Sequence, residues 1–174
     1  MAEEGMLRLL TPGEVGMARA VFRYSIEYHK VWVHRSSYFP FGLQPENAGL
    51  APNGELYFRA WYTPDFSLSD LAHRHIFIHE MSHVWQRGRG MNVQLNGLVS
   101  MLVSYRYVLN GRPLRRYPME QQAQIITDWH VLNTYGYIAW RTLRERGDIT
   151  LDGDLTESVI RSQYPKTLHN FPWC

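Results

Sequence analysis

Between residues 71 and 86 the chain reads LAHRHIFIHEMSHVWQ, with apolar positions at helical spacing. At about 100° per residue, Leu71, Phe77, Ile78, Met81, Val84 and Trp85 gather on one side, and His79, Glu80 and His83 fall roughly opposite. The spacing predicts a helix that buries its apolar stripe and turns the polar triplet toward a groove. Ser67 or Ser69 is placed to cap its start, with Asp70 in the first turn, and Gly88 and Gly90 suit its stop. A second run follows Pro118, a residue suited to the first helical position. There Ile125, Trp129, Leu132, Gly136, Trp140 and Leu143 share one side, and Glu120, Ala123, Gln124, Thr127 and Val131 share the other.

The remaining patterns are shorter. Thr11, Pro12, Gly13 and Glu14 read as a capping box that opens a helix to about Glu27. Residues 30–34 alternate as a short strand, and residues 36–51 form an irregular loop whose Tyr38, Phe39 and Phe41 are expected to cover the core, with the lining of a substrate groove as the alternative. Asn53 and Gly54 make a tight-turn signal before a strand at residues 55–58. Residues 93–109 fit a short helix or a hairpin. Residues 147–153 read as a solvated turn, whose Asp148 and Asp152, with Asp154, lack the closing glutamate of an EF-hand, and a last helix is expected over residues 155–164. The expectation is a single α+β domain over residues 1–174, with residues 1–10 and 165–174 as peripheral tails.

The chemistry sits on the first of the long patterns. One helical turn separates His79 from His83, so both imidazoles can share one metal ion, with Glu80 beside them as a proton acceptor. This is the HExxH arrangement of zinc hydrolases. A third ligand must come from elsewhere. The extended HExxHxxGxxH form is excluded, because Gln86 and Arg89 occupy the positions of its glycine and last histidine, and no GTxxD run occurs. A carboxylate from the second helix is left, and Glu120 is favoured over its rivals Asp128 and His130. Asp128 reads better as a hydrogen-bond partner of a ligand histidine. The donor to a developing oxyanion stays open among Tyr105, Tyr107, Tyr117 and His130. His75, one turn before His79, is read as solvated.

Composition narrows the class. A content of 45% hydrophobic and 14% aromatic residues over 174 positions is that of a globular domain. The net charge of +2 shows no concentrated basic stripe, which argues against nucleic acid, and Arg112, Arg115 and Arg116 read as a solvated loop. Cys174 is the sole cysteine, so no intrachain disulfide can form. The first ten residues do not read as a signal peptide and no stretch reaches membrane-span length, which predicts production in a cytoplasm.

The ordered set TPGE, PNGELYF, HEMSHVWQ and YPMEQQAQIITDW resembles the zinc metallopeptidase domains of bacterial type VI secretion effectors, some of them fused to VgrG spike proteins. The resemblance extends from about Leu10 to Trp140. It implies a zincin-like fold of the glutamate-zincin type, one zinc ion on His79, His83 and Glu120, and Glu80 as base. It implies a toxic effector acting on a peptide or protein substrate, delivered into a target cell's periplasm, with a VgrG-type spike and a cognate immunity protein as partners. In glutamate-zincins the exposed edge of a strand pairs with substrate backbone, and residues 56–60 are the candidate for it, an interior strand being almost equally compatible. Many glutamate-zincins carry an aspartate four residues beyond the ligand glutamate, where this chain has Gln124. Two other readings stand beside the peptidase: a peptidoglycan amidase or endopeptidase with the same zinc site, and a non-catalytic adaptor that zinc only stabilises.

Overall fold

The structure, a computed structural model, describes residues 4–93 and 104–174. They are mixed α+β, and their contacts cluster into two compact units, Met1–Gln94 and Leu95–Cys174.

In the first unit, strand β1 (Met6–Leu9) leads into helix α1 (Pro12–Phe22), and strands β2 (Trp32–Arg35), β3 (Gly49–Leu50) and β4 (Leu56–Phe58) precede helix α2 (Leu71–Gly88). The sheet order is β1-β2-β4-β3, with β2 and β4 parallel and both outer pairs antiparallel. Strand β4 is therefore interior, and the edges are β1 and β3. That corrects the expected edge at residues 56–60. All three β4 residues are buried, as a strand covered on both faces requires. Residues 6–9, placed by the sequence in a peripheral tail, supply edge strand β1.

The capping box forms as expected. Glu14 N donates to Thr11 Oγ1 at 3.1 Å, and Thr11 N donates to Glu14 Oε2 at 2.9 Å. Helix α1 stops at Phe22 rather than near Glu27, because Arg23 turns the chain at φ 54°, and the Tyr28 hydroxyl fastens its carbonyl at 2.7 Å. In the loop before β3, buried Gln44 donates to the carbonyls of Ala48 (2.8 Å) and Tyr57 (3.0 Å) and accepts from Tyr38 N (2.8 Å). Phe41 does not cover the core: its side chain is 98% exposed. Phe58, Phe66 and Phe77 stack in sequence, with ring centroids 4.7 and 5.4 Å apart, and tie the sheet to α2.

The cap of α2 is Asp70, not Ser67 or Ser69; its carboxylate accepts from His73 N at 2.9 Å. Aspartate there also complements the helix dipole. Gly90, at φ 87°, takes the left-handed turn beyond the last residue of α2.

In the second unit, strand β5 (Tyr107–Val108) pairs in parallel with β6 (Leu151–Asp152), and the described residues also form helices α3 (Met119–Tyr135), α4 (Tyr137–Arg146) and α5 (Glu157–Thr167). Of the segment expected as a short helix or hairpin, residues 94–103 lie outside the described residues. The single long run after Pro118 is two helices, because Gly136 sits at φ 90°, ψ 177° and interrupts the ladder. Gly147 in the left-handed region ends α4. The expected solvated turn is tied down: Asp152 lies in β6 and accepts from Arg106 at 2.8 and 2.6 Å and from Arg144 at 3.1 Å. Cys174 is exposed. Among the described residues, no helix is long and apolar enough to cross a membrane.

Candidate metal centre

Helix α2 presents His79, Glu80 and His83 on successive turns, and α3 presents Glu120 in its first turn. All four are buried, at 8%, 4%, 5% and 6% exposure. The polar face of α2 thus carries buried side chains. Ser82 and Gln86 on that helix are completely buried too, and His75, expected in solvent, is buried at 6% exposure.

His79, His83 and Glu120 each offer one ligand atom, and the three atoms lie within 4.8 Å of one another. Two imidazoles and one carboxylate match the donor set of hydrolytic zinc, which uses three protein ligands and keeps one position for water. Asp128, His130 and His75 do not belong to this group. The His83 ring is oriented by a neighbour that the sequence pattern did not single out. Its Nδ1 lies 2.8 Å from Gln86 Oε1, so Nδ1–H donates and Nε2 keeps the lone pair that a metal needs. The available signal was the three-residue separation, which places Gln86 on the same helical face as His83.

Glu80 rests against the sheet. A Cβ added to Gly49 of β3 would stand 3.0 Å from Glu80 Cγ and 3.1 Å from Glu80 Oε1, so a side chain there would press on that carboxylate.

Asp128 lies eight residues after Glu120 on α3 and is fully buried. It accepts from the Tyr107 hydroxyl at 2.7 Å and from Gln124 Nε2 at 3.0 Å. With the Tyr107 proton directed to Asp128, the Tyr164 hydroxyl donates to Tyr107 at 2.7 Å. Burial first, and then the charge of Asp128, hold both tyrosines protonated well above the usual tyrosine range. The Tyr117 hydroxyl donates to the Val108 carbonyl at 2.7 Å. Tyr107 and Tyr117 thus commit their hydroxyls to internal bonds, whereas Tyr105 is exposed and His130 is buried with Nδ1 3.2 Å from Thr134 Oγ1.

No family model matches the chain. The type VI secretion system spike protein VgrG2b of Pseudomonas aeruginosa is 38% identical over 181 residues, covering 98% of this chain and 15% of that protein. The solved effector domain of VgrG2b superposes with a TM-score of 0.66 at 34% identity, covering 87% of each chain. The chain belongs to the VgrG2b effector-domain family. This membership spans nearly the whole of the present chain but only about 15% of the length of the spike protein it matches. Within the VgrG2b effector-domain family, then, this chain places a buried His/His/Glu group that could bind a metal ion.

Proposed function

We propose that this chain is a zinc-dependent metallopeptidase of the glutamate-zincin type, an effector delivered by type VI secretion that hydrolyses peptide bonds. The observation that carries this reading is the convergence of the His79, His83 and Glu120 donor atoms within 4.8 Å, with Glu80 adjoining the first histidine. His79, His83 and Glu120 would hold the ion. When bound, zinc lowers the pKa of water and polarises a carbonyl oxygen. Glu80 takes the proton from the attacking water on its carboxylate and returns it to the leaving amine nitrogen. Gln86 keeps His83 in the ligating tautomer, and Gly49 leaves the Glu80 side chain its room. Kinship with a spike protein supports a VgrG-type spike as partner; the same reading takes a cognate immunity protein as a second partner and the periplasm of a target cell as the place of action.

Glu80→Gln decides the reading. The variant is expected to retain one zinc per chain and to lose about 10²- to 10⁴-fold in the rate of casein cleavage, whereas Glu120→Ala and His83→Ala lose the metal. Cleavage by Glu80→Gln at the parental rate, or full zinc occupancy in Glu120→Ala, overturns it. Chelation should abolish activity with the circular dichroism spectrum kept; unfolding on chelation would mark the metal as structural.

A further inference from the structure

Strand β3 is two residues long, and one of them is glycine, which weakens a strand because it adds backbone freedom and offers no side chain to pack. Conformation does not explain the choice, since Gly49 is not among the residues with positive φ. Space does. A Cβ on Gly49 would lie 2.8 Å from Phe58 Cε1, 3.0 Å from Glu80 Cγ and 3.1 Å from Glu80 Oε1. Both neighbours are confined. The Phe58 ring is fully buried and packs on Phe66 at a centroid distance of 4.7 Å, and Glu80 is 4% exposed. Gly49 also stands directly opposite Phe58 in the β3–β4 pairing, so the strand cannot slide aside without breaking its register.

We infer that Gly49 is a positioning residue for Glu80: the bare backbone of edge strand β3 forms the wall that fixes where the carboxylate lies. This rests on the assignment of Glu80 as proton acceptor. A methyl group at position 49 presses the Glu80 side chain aside by a few tenths of an ångström while leaving the α2 histidines in place, and a misplacement of that size at a reacting group is expected to cost about tenfold, less than the roughly 10²-fold of a full ångström.

The test uses the full, zinc-loaded chain with fluorogenic casein as probe. Gly49→Ala is expected to bind one zinc with the parental affinity and to show kcat lowered about tenfold with KM within about threefold. Its crystal structure is expected to show the Glu80 carboxylate displaced and the His79 and His83 rings unmoved. Parental kcat per zinc-loaded molecule, or an unmoved Glu80, overturns the inference. Because the methyl also meets Phe58, the comparison is repeated in a Phe58→Leu background, where the ring contact is gone. If Phe58→Leu and Phe58→Leu/Gly49→Ala have equal kcat, the residue serves the fold alone and the inference is overturned. Glu80→Gln separates the two levels: a fully active Glu80→Gln removes the base assignment itself, whereas an inactive Glu80→Gln beside a fully active Gly49→Ala removes only the positioning role.

Discussion

Each unit buries a carboxylate outside the His79, His83 and Glu120 group, and the two are satisfied by different means. Glu14 of the first unit, completely buried, meets the Arg8 guanidinium in a two-bond fork at 2.8 and 2.9 Å and also accepts from the backbone N–H groups of Thr11 and Phe66, each at 2.9 Å. Asp128 of the second unit, equally buried, takes neutral donors from Tyr107 and Gln124. In the first case a full opposite charge offsets desolvation; in the second, short hydrogen bonds from neutral groups inside a low-dielectric interior contribute to doing so. Burial of an acid therefore does not by itself mark chemistry. What distinguishes Glu120 is that two imidazoles converge on it.

The largest effect expected from this contrast is on stability. Glu14→Ala leaves Arg8 without its buried counter-charge and should cost about 3–5 kcal/mol in urea unfolding, with casein cleavage per folded molecule unchanged. Asp128→Asn keeps an acceptor for the Tyr107 hydroxyl, so its cost should be smaller, about 1–3 kcal/mol. If the aspartate variant proves the more damaging of the two, neutral donors are not the milder device and the contrast fails. Gln86→Leu belongs to neither class: its effect should appear as a loss of about 10- to 100-fold in zinc affinity, measured by competition with a chelator, with the unfolding midpoint of the apo protein little changed.

The smallest effect is on pH dependence. Tyr107 and Tyr164 keep their protons in the folded state above the pH at which an unfolded tyrosine, with a pKa of about 10, releases its own. Their contribution to stability is therefore complete below about pH 10 and is lost as pH rises further, at up to about 1.4 kcal/mol per pH unit for each ring. Melting temperatures recorded from pH 8 to pH 11 should fall more steeply for the parent than for Tyr164→Phe. Equal slopes would mean that the buried hydroxyls titrate like exposed ones.

The parts that were readable in the sequence are those fixed by local spacing. The capping box at Thr11 and Glu14 and the one-turn separation of His79 and His83 need only neighbours along the chain. Glu120 came from the same kind of reasoning, because Pro118 announces a helix and the carboxylate follows within its first turn. Features set by distant partners stayed hidden. Two-residue strands such as β3 carry no periodicity, and the interior place of β4 depends on pairing across long stretches of sequence. Gly136 falls on the apolar side of a continuous helical pattern, so nothing in that pattern distinguishes a helix break from a packing glycine. The burial of His75 and Gln86 was equally out of reach, since an amphipathic helix gives no sign that its polar face will be enclosed as well.

Cys174, exposed and alone of its kind, has a practical consequence. No other thiol competes for a maleimide dye, so fluorophore labelling places one chromophore per molecule seven residues beyond Thr167, the last residue of α5. Slowed tumbling of that dye, read as fluorescence anisotropy, would then report the docking of a larger protein without disturbing any residue that grips the ion.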